Sequence, residues 1–266
     1  MTVINSDIRK TIVKMTGLAN AAHVATSLSE VEILNAIYKS VDVQRIIDQS
    51  IERDRVILSK GHGAAGLYAV MFHHGLLSKE DIDSFFCDGS VMAGHASHFI
   101  DNVEHSTGAL GHGLSVGLGM ALGARSREIK NRVFVVVGDG ELHEGSNWEA
   151  IMYAGHQSIG NLCVLVDKNG KTMTGNTVEE CSIDPLAEKF QAFNFNVIEI
   201  EDGHDEAKII NALEESKNSK PPVAIICNTI KGKGISFMEN NLDWHYRPPK
   251  GKELENAISE LDGKKL

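Results

Sequence analysis

Two buried strands with a helix between them, over residues 132–169, constrain the fold of this chain more than any other feature. Residues 132–137 form a short apolar run rich in β-branched residues, which is typical of a strand buried on both faces. A helical segment extends to about Gln157, and a second apolar run covers residues 162–166. The pattern predicts a parallel β–α–β unit whose two strands end at the same edge of a sheet.

Polar residues follow both predicted strands. Gly138, Asp139 and Gly140 come directly after the first strand. Asn169 follows the second, so a carboxylate, an amide oxygen and a backbone carbonyl near Lys171 offer oxygen ligands that suit Mg²⁺ or Ca²⁺ better than zinc. The two glycines permit a close approach of the backbone, and amides at the start of the following helix favour an anion. These residues predict a metal–diphosphate site in a crevice between the two strand ends, although a Gly-Asp-Gly triplet alone more often marks a turn.

Composition narrows the class of protein and its partners. The 266 residues are 42% hydrophobic and 23% charged, which is sufficient for a full core in one large domain. The net charge of −10 disfavours nucleic acids and anionic membranes as partners, because both would repel the chain. The N-terminus is polar and no apolar run reaches membrane-spanning length, so neither a signal peptide nor a membrane span is expected. Cys87, Cys163, Cys181 and Cys227 lack Cys-x-x-Cys spacing, which favours free thiols in a reducing cytoplasm.

A histidine stands in a small-residue turn between two predicted helices. Apolar spacing predicts helices over residues 7–22 and 29–38, and Ser29 with Glu32 predicts an N-terminal cap for the second helix. His23 lies in the turn between them. Taken alone, a histidine in such a turn is more often a hydrogen-bonded structural residue than a ligand.

Two further histidines lie in turns beside glycines. A predicted strand at residues 55–58 leads into a turn that contains His62, and a helix follows. This place between a strand end and a helix start favours a role facing a ligand. His95 lies in a second turn, and the glycines of residues 106–113 permit the backbone to approach a ligand closely.

Three segments carry partial matches to other site motifs, and each lacks a required part. Residues 113–117 fit the G-x-S-x-G pattern, but the segment before them is polar rather than a buried strand. Residues 117–123 miss the spacing of a dinucleotide fingerprint, and residues 231–236 miss that of a phosphate-binding P-loop. His204 is expected to be structural, capping a helix that extends to Glu215.

Together these segments resemble the transketolase family. Asn169 stands thirty residues after Asp139, which is similar to the thiamine diphosphate-binding motif, a Gly-Asp-Gly followed by Asn at that distance. Residues 140–150 are similar to the transketolase branch in particular. Further family motifs resemble, in the same order along the chain, residues 22–29, 59–63, 93–97, 106–113 and 241–246.

The chain departs from the family pattern at positions around the expected site. The family has other residues, mostly Gly or Pro, at Ala22, Val24, Ala25, Ala109, His112, Thr174 and Tyr246, the last of which stands where many relatives have Gly. These departures motivate one alternative function, a non-catalytic regulatory subunit that binds the cofactor without turnover.

The resemblance implies an α/β doubly wound fold with a mainly parallel sheet, helices on both faces and the ligand at the strand ends. It implies that residues 1–266 form one diphosphate-binding domain with a C-terminal extension from about residue 235. A complete transketolase is more than twice this long. The resemblance therefore implies the N-terminal subunit of a split transketolase, which self-associates and needs a separate C-terminal subunit with the pyrimidine-binding domain, in an α2β2 assembly.

The resemblance also implies thiamine diphosphate and Mg²⁺, with Ca²⁺ as an alternative ion, and transfer of a two-carbon ketol group from a ketose or ketose phosphate to an aldose. The implied catalytic residues are His23, His62, His95 and His245. The implied cofactor-binding residues are His62, Leu110, Gly111, Gly138, Asp139, Gly140, Glu141, Asn169, Met173 and His245, of which Leu110 and Met173 would look the same as core residues. The implied metal ligands are Asp139, Asn169 and the Lys171 carbonyl.

A second alternative is a different thiamine diphosphate enzyme, such as a 2-oxo acid dehydrogenase or a decarboxylating synthase. A 2-oxo acid substrate would not require histidines at the three hydroxyl-binding positions His23, His62 and His95. Their presence favours ketol transfer.

Overall fold

Five parallel strands in the order β1-β2-β3-β5-β4 form the centre of the computed structural model, which describes residues 3–264. All neighbouring strands pair in parallel. The strands are β1 (Arg55–Leu58), β2 (Val133–Gly138), β3 (Leu162–Lys168), β4 (Asn196–Ile200) and β5 (Val223–Asn228). β2 and β3 are the two strands predicted from the sequence, and they pair directly, so the residues that follow them meet at one edge of the sheet.

Helices cover both faces of the sheet, as expected for a doubly wound fold. The α-helices are α1 (Asn5–Leu18), α2 (Val24–Ser29), α3 (Val31–Ser40), α4 (Val43–Ile47), α5 (Ala64–His73), α6 (Lys79–Asp83), α7 (Gly113–Ser126), α8 (Gly145–His156), α9 (Thr177–Cys181), α10 (Leu186–Ala192), α11 (Glu206–Glu215) and α12 (Lys252–Leu261). Short 3₁₀ turns lie at Gly61–Gly63, Gly140–His143, Ser216–Asn218 and Leu242–His245. Across residues 3–264, no helix combines the length and apolar character needed to cross a membrane.

The alternation of side chains along β2 explains how the sheet holds two cores. Phe134 and Val136 join the core formed with α1, α3 and α5. Val133, Val135 and Val137 join the core on the other face, with α7, α8 and α10. Successive residues of a strand point to opposite faces, so a strand covered on both sides must be apolar throughout.

The region around His23 differs from the sequence prediction. Residues 24–29 form the short helix α2 rather than a turn, and Ser29 is the last residue of α2 rather than the cap of α3. The Ser29 hydroxyl donates instead to Asp167 Oδ2, at 2.6 Å. Because α2 extends through Ser29, Glu30 occupies the N-cap position of α3, and the Ser29 oxygen is not placed to accept the first amides of α3.

The segment after β2 also differs in detail. A 3₁₀ turn occupies Gly140–His143, and α8 begins at Gly145 instead of directly after Gly140. The amides nearest the strand end therefore belong to the 3₁₀ turn and not to the first turn of the long helix.

His204 is structural, but it does not cap α11. Its Nε2 accepts the Ile230 amide at 2.8 Å, and its Nδ1 lies 2.9 Å from Glu32 Oε2. The Asp205 side chain caps α11 by accepting the Lys208 amide. The histidine thus fastens the turn before α11 to α3.

Helices α7 and α8 pack together on one face of the sheet. Replacing one glycine in each of them by Ala should have opposite effects on stability. In Gly155→Ala the new Cβ would lie 1.6 Å from the Phe193 carbonyl oxygen, whereas a Cβ at Gly123 meets nothing within 4 Å. We expect the free energy of unfolding to fall by at least about 2 kcal/mol in Gly155→Ala. It should rise by about 0.4–1 kcal/mol in Gly123→Ala. Urea titration of both variants tests this, and equal stabilities would contradict the packing described.

Candidate active site

The ends of β1, β2, β3 and β5 surround a cavity of about 530 Å³. All the site residues predicted from the sequence line it except Gly111. The backbone of Gly111 adopts a φ of +86°, and its amide donates to Glu141 Oε1 at 2.9 Å. Gly111 thus lies behind the cavity wall, next to Leu110, which does line the cavity.

Asp139 is a buried acid at the end of β2. Its carboxylate accepts the Gly140 amide at 2.8 Å and the Gly170 amide at 2.6 Å, which joins the loops after β2 and β3. Burial, and then the nearby Asp167 carboxylate, raise the pKa of Asp139 to about 6. Among residues 3–264, no cationic side chain forms an ion pair with it. A cation in the cavity would stabilise the ionised form.

Asn169 and Lys171 bring neutral oxygens to the same place. The Asn169 side-chain oxygen accepts the Lys171 amide at 3.1 Å, and its Nδ2 lies 3.3 Å from Asp167 Oδ2. The Lys171 carbonyl faces Gly140, 3.8 Å from where a Cβ would stand. Within the described chain, no group of three His, Cys, Asp or Glu side chains is placed to hold a metal. A metal here would depend on one carboxylate, neutral oxygens and oxygens of its ligand, which is the environment that suits Mg²⁺.

Four histidines meet on the opposite side of the cavity. The ring of His23 lies at the centre, with centroids 5.3 Å from His62, 5.8 Å from His95 and 5.1 Å from His245. The His23 backbone is left-handed (φ 69°), and its amide donates to the His245 carbonyl at 2.9 Å. His23 Nδ1 is buried and has no hydrogen-bond partner among residues 3–264. An orphaned ring nitrogen in a polar cavity is suited to a ligand hydroxyl.

All four histidines are neutral at pH 7. Burial and then the neighbouring His95 lower the pKa of His23 to about 4, and burial and then Lys231 lower the pKa of His245 to about 3. Burial also lowers the pKa of His62 and of His95. A neutral imidazole offers one donor and one acceptor, so the cluster can bind hydroxyl groups and exchange protons with them.

Lys231 is a site residue that the sequence reasoning missed. It is buried, with Nζ 3.1 Å from the Thr172 carbonyl and 2.9 Å from His245 Nδ1. Burial and then Lys60 lower the pKa of Lys231 to about 8, and none of the ion pairs within residues 3–264 includes it. Its segment lacks P-loop spacing, but its position three residues beyond the end of β5 is the signal that could have placed it at the site.

The floor of the cavity contains a second unpredicted group, formed by Lys60, Glu30 and Asp167. Lys60 is 1% exposed, and its Nζ lies 2.5 Å from Asp167 Oδ2 and 3.0 Å from Glu30 Oε2. The contact with Glu30 is close but lacks hydrogen-bond geometry. Burial would raise the pKa of Asp167, but Lys60 holds it low. Burial and Asp167 raise the pKa of Glu30 to about 8 against the pull of Lys60. Lys60 and Asp167 are therefore charged while Glu30 is protonated at neutral pH.

Glu141 fixes the cavity wall. Its carboxylate accepts the Ser59 hydroxyl at 2.5 Å, the Gly111 amide at 2.9 Å and the Gly138 amide at 3.2 Å. One side chain thus joins the ends of β1 and β2 to the loop before α7. Although Glu141 lines the cavity, both of its oxygens are already occupied by protein donors.

Met173 lies at the mouth of the cavity and is 54% exposed, so it is not a core residue. Its neighbour there is Tyr246, which is 57% exposed. The Tyr246 hydroxyl contacts Met173 Sδ across the mouth.

The parallel sheet, with its cavity at the strand ends, defines an α/β protein of the doubly wound class. The family described as "Transketolase, thiamine diphosphate binding domain" matches residues 2–263. The chain belongs to this family, which confirms the resemblance seen in the sequence motifs.

Several relatives resemble the chain over nearly its whole length. An apulose-4-phosphate transketolase subunit of Actinobacillus succinogenes is 39% identical, over 95% of this chain and 92% of that protein. The 6-deoxy-6-sulfo-D-fructose transketolase subunit SqwG of Clostridium sp. (strain MSTE9) is 35% identical, over 96% and 94%. The crystal structure of transketolase from Campylobacter jejuni superposes with a TM-score of 0.89 at 28% identity. That match covers 99% of this chain and 43% of the solved chain, and it confirms the fold class.

Replacing Glu30 should change how stability depends on pH. The pKa of Glu30 rises from 4.5 to about 8 on folding. The folded state therefore binds this proton more tightly than the unfolded state, and wild type loses stability as the pH rises through that interval. We expect Glu30→Gln to match wild type near about pH 4, below the unfolded pKa, and to exceed its free energy of unfolding by at least about 1 kcal/mol near about pH 8.

Glu32→Gln provides a control of opposite sign, measured by the same urea titrations. Burial would raise the pKa of Glu32, but His204 and Arg9 hold it below its usual value. Its ionised form therefore stabilises the fold above the unfolded pKa, and this variant should be less stable than wild type near about pH 8. A loss of stability at that pH in both variants would contradict the protonation states assigned here.

Proposed function

We propose that this chain is the N-terminal subunit of a two-subunit transketolase, which transfers a two-carbon ketol group from a ketose or ketose phosphate to an aldose. The observation that carries this proposal is a cluster of four neutral histidines, with His23 at its centre. The cluster faces Asp139 and Asn169 across one cavity. The relatives with subunit names span lengths close to that of this chain, which supports a separate partner. Their sugars are not carried over to this protein.

The residues present fit thiamine diphosphate with Mg²⁺, and Ca²⁺ would suit the same oxygens. Asp139, Asn169 and the Lys171 carbonyl would hold the metal. A Cβ at Gly138 or Gly140 would meet no protein atom closer than 3.7 Å, so protein packing does not require glycine there. A ligand that passes close to the backbone accounts for both glycines.

Three cavity side chains would hold the diphosphate. Lys231 supplies a buried cation that no carboxylate pairs with in the described chain, and His62 and His245 supply neutral donors beside it. Leu110 and Met173 line the cavity and would contact the cofactor ring. An anion that binds next to an unpaired buried ammonium lowers the free-energy cost of burying both charges.

Thiamine diphosphate, when bound, supplies an electron sink for cleavage next to a carbonyl group. The protein's own contribution is orientation and proton transfer. His23 and His95 would hold the hydroxyls of the transferred ketol group and take up or return a proton at a ring nitrogen. His95 is fixed for this by Tyr68, whose hydroxyl donates to the His95 carbonyl at 2.9 Å.

The proposed assembly is α2β2, with the partner subunit contributing the pyrimidine-binding domain. On the outer surface, α7 exposes Gly119 and Gly123, and α8, which packs against α7, exposes Met152 and Tyr153, at 54% and 48%. Exposed small and apolar residues on two adjacent helices support pairing between two copies. We further propose that residues 1–266 form one domain with an extension from about residue 235, and that the protein is cytoplasmic, since its four cysteines are free.

Replacing the proposed metal ligand should abolish cofactor binding. Asp139→Asn removes the one charged ligand, so we expect the affinity for thiamine diphosphate with Mg²⁺ to fall by at least roughly 100-fold. Calorimetry on the assembled protein measures this. Asp88→Asn, at an exposed position outside the cavity, is the control and should bind as wild type. An unchanged dissociation constant in Asp139→Asn would refute the metal site.

Reconstitution with the partner tests the function directly. We expect the chain alone to be inactive, and the pair to transfer ketol groups from a ketose donor. His95→Ala should lower this rate roughly 100-fold while leaving the affinity for thiamine diphosphate unchanged. His98→Ala, an exposed histidine on the same loop, should have little effect. Equal losses with ketose and 2-oxo acid donors would favour a decarboxylating enzyme, and cofactor binding without turnover would favour a regulatory subunit.

A further inference from the structure

The backbone on either side of Tyr246 is firmly anchored. Trp244 is buried, and its indole N–H donates to the Phe237 carbonyl at 2.9 Å. His245 is also buried, where Lys231 donates to its Nδ1. The Arg247 guanidinium lies 4.5 Å from the centroid of the Trp244 ring. With both neighbours held, the position from which the Tyr246 side chain projects is fixed.

The Tyr246 ring covers the histidine cluster. Its centroid lies 5.5 Å from the ring of His23 and 4.7 Å from the ring of His245. From there its hydroxyl reaches Met173, which belongs to the loop after β3. The two side chains, both more than half exposed, thus connect opposite sides of the cavity mouth.

The contact between the phenol and the sulfur is easily exchanged. A thioether sulfur is a weak hydrogen-bond acceptor, and the hydroxyl has no other partner among residues 3–264. A ligand hydroxyl that enters the mouth is a better acceptor than the sulfur. Tyr246 therefore combines a fixed apolar ring, which limits the width of the mouth, with a donor that is available to an oxygen of the ligand.

We propose that Tyr246, together with Met173, determines specificity for the ketose donor: the ring narrows the mouth beside His23, and the phenol donates to a chain hydroxyl beyond the two transferred carbons. This inference rests on the proposed ketol transfer, in which the histidines hold the transferred unit deeper in the cavity. Because Tyr246 lies further out than His23, it meets the part of the donor that is left behind. The substrate class is then a polyhydroxy ketose whose remaining chain passes through the narrowed mouth beside Tyr246.

Two variants separate the two parts of the proposal. Tyr246→Phe keeps the ring and removes the donor, while Tyr246→Gly removes both. Phe99→Gly removes an exposed aromatic ring outside the cavity and is the matched control. The assembled pair is assayed for kcat/KM with hydroxypyruvate, which has a ketol group but no sugar chain, and with five-carbon and seven-carbon ketose phosphates. Thiamine diphosphate affinity is measured in parallel.

Tyr246→Phe should lower kcat/KM for both ketose phosphates by about fivefold to tenfold, the usual effect of one hydrogen bond, and leave hydroxypyruvate within about twofold. Tyr246→Gly should also raise the activity ratio of the seven-carbon donor over the five-carbon donor by about fivefold. Cofactor affinity should not change in either variant. Equal losses for all donors, or unchanged donor ratios in both variants, would overturn the proposal.

A binding measurement distinguishes failure of this inference from failure of the proposed function. Calorimetric titration of the cofactor-free assembled pair with the five-carbon ketose phosphate should show weaker binding in Tyr246→Phe than in wild type or Phe99→Gly. A wild-type pair that transfers no ketol group from any donor would refute the proposed function, while the calorimetric comparison would still decide the role of Tyr246. Identical ketose affinities in all three proteins would overturn that role.

Discussion

A buried ion pair between Lys60 and Asp167 is the interaction on which the rest of the site depends. The same carboxylate also accepts hydrogen bonds from the hydroxyls of Ser29 and Thr229. These donors come from the ends of β1, α2 and β5, so one acid on β3 holds three separate segments in register beneath the cavity. Loss of one partner from such a group leaves a buried charge uncompensated, which costs far more than loss of a surface ion pair.

The charged side chains on the floor of the cavity are paired with each other, whereas those in its open part are not. Lys60 and Asp167 neutralise each other below the surface. Above them, Asp139 and Lys231 face the same cavity without pairing with each other or with another charged side chain in residues 3–264. The unpaired Asp139 carboxylate and Lys231 ammonium are complementary to a ligand that carries both signs of charge. A divalent cation bound to a polyphosphate is such a ligand.

The sequence predicts those parts of the site that follow directly from strand ends. Asp139 and Asn169 come immediately after β2 and β3, so local patterns and the handedness of a β–α–β unit bring them together. The floor was not predictable in this way, because the partners Lys60 and Asp167 are 107 residues apart and no local pattern pairs one with the other. The prediction for Ser29 was wrong because α2 extends through this residue and places Glu30 at the N-cap position of α3. Lys231 lies on a loop. Hydrophobic periodicity predicts where side chains point in helices and strands, but not in loops.

The hydrogen bond from the His23 amide to the His245 carbonyl spans 222 residues of chain (245 minus 23). One wall of the cavity is therefore contributed by an early segment and completed by a late one, and the strands between them must already be in place. During synthesis, a nascent chain that has emerged only as far as β5 contains Lys60, Asp167 and three of the four histidines, but it lacks Lys231 and His245. A ligand that contacts Lys231 and His245 therefore gains those contacts, and the stabilisation they provide, only after the late segment has folded against the early one.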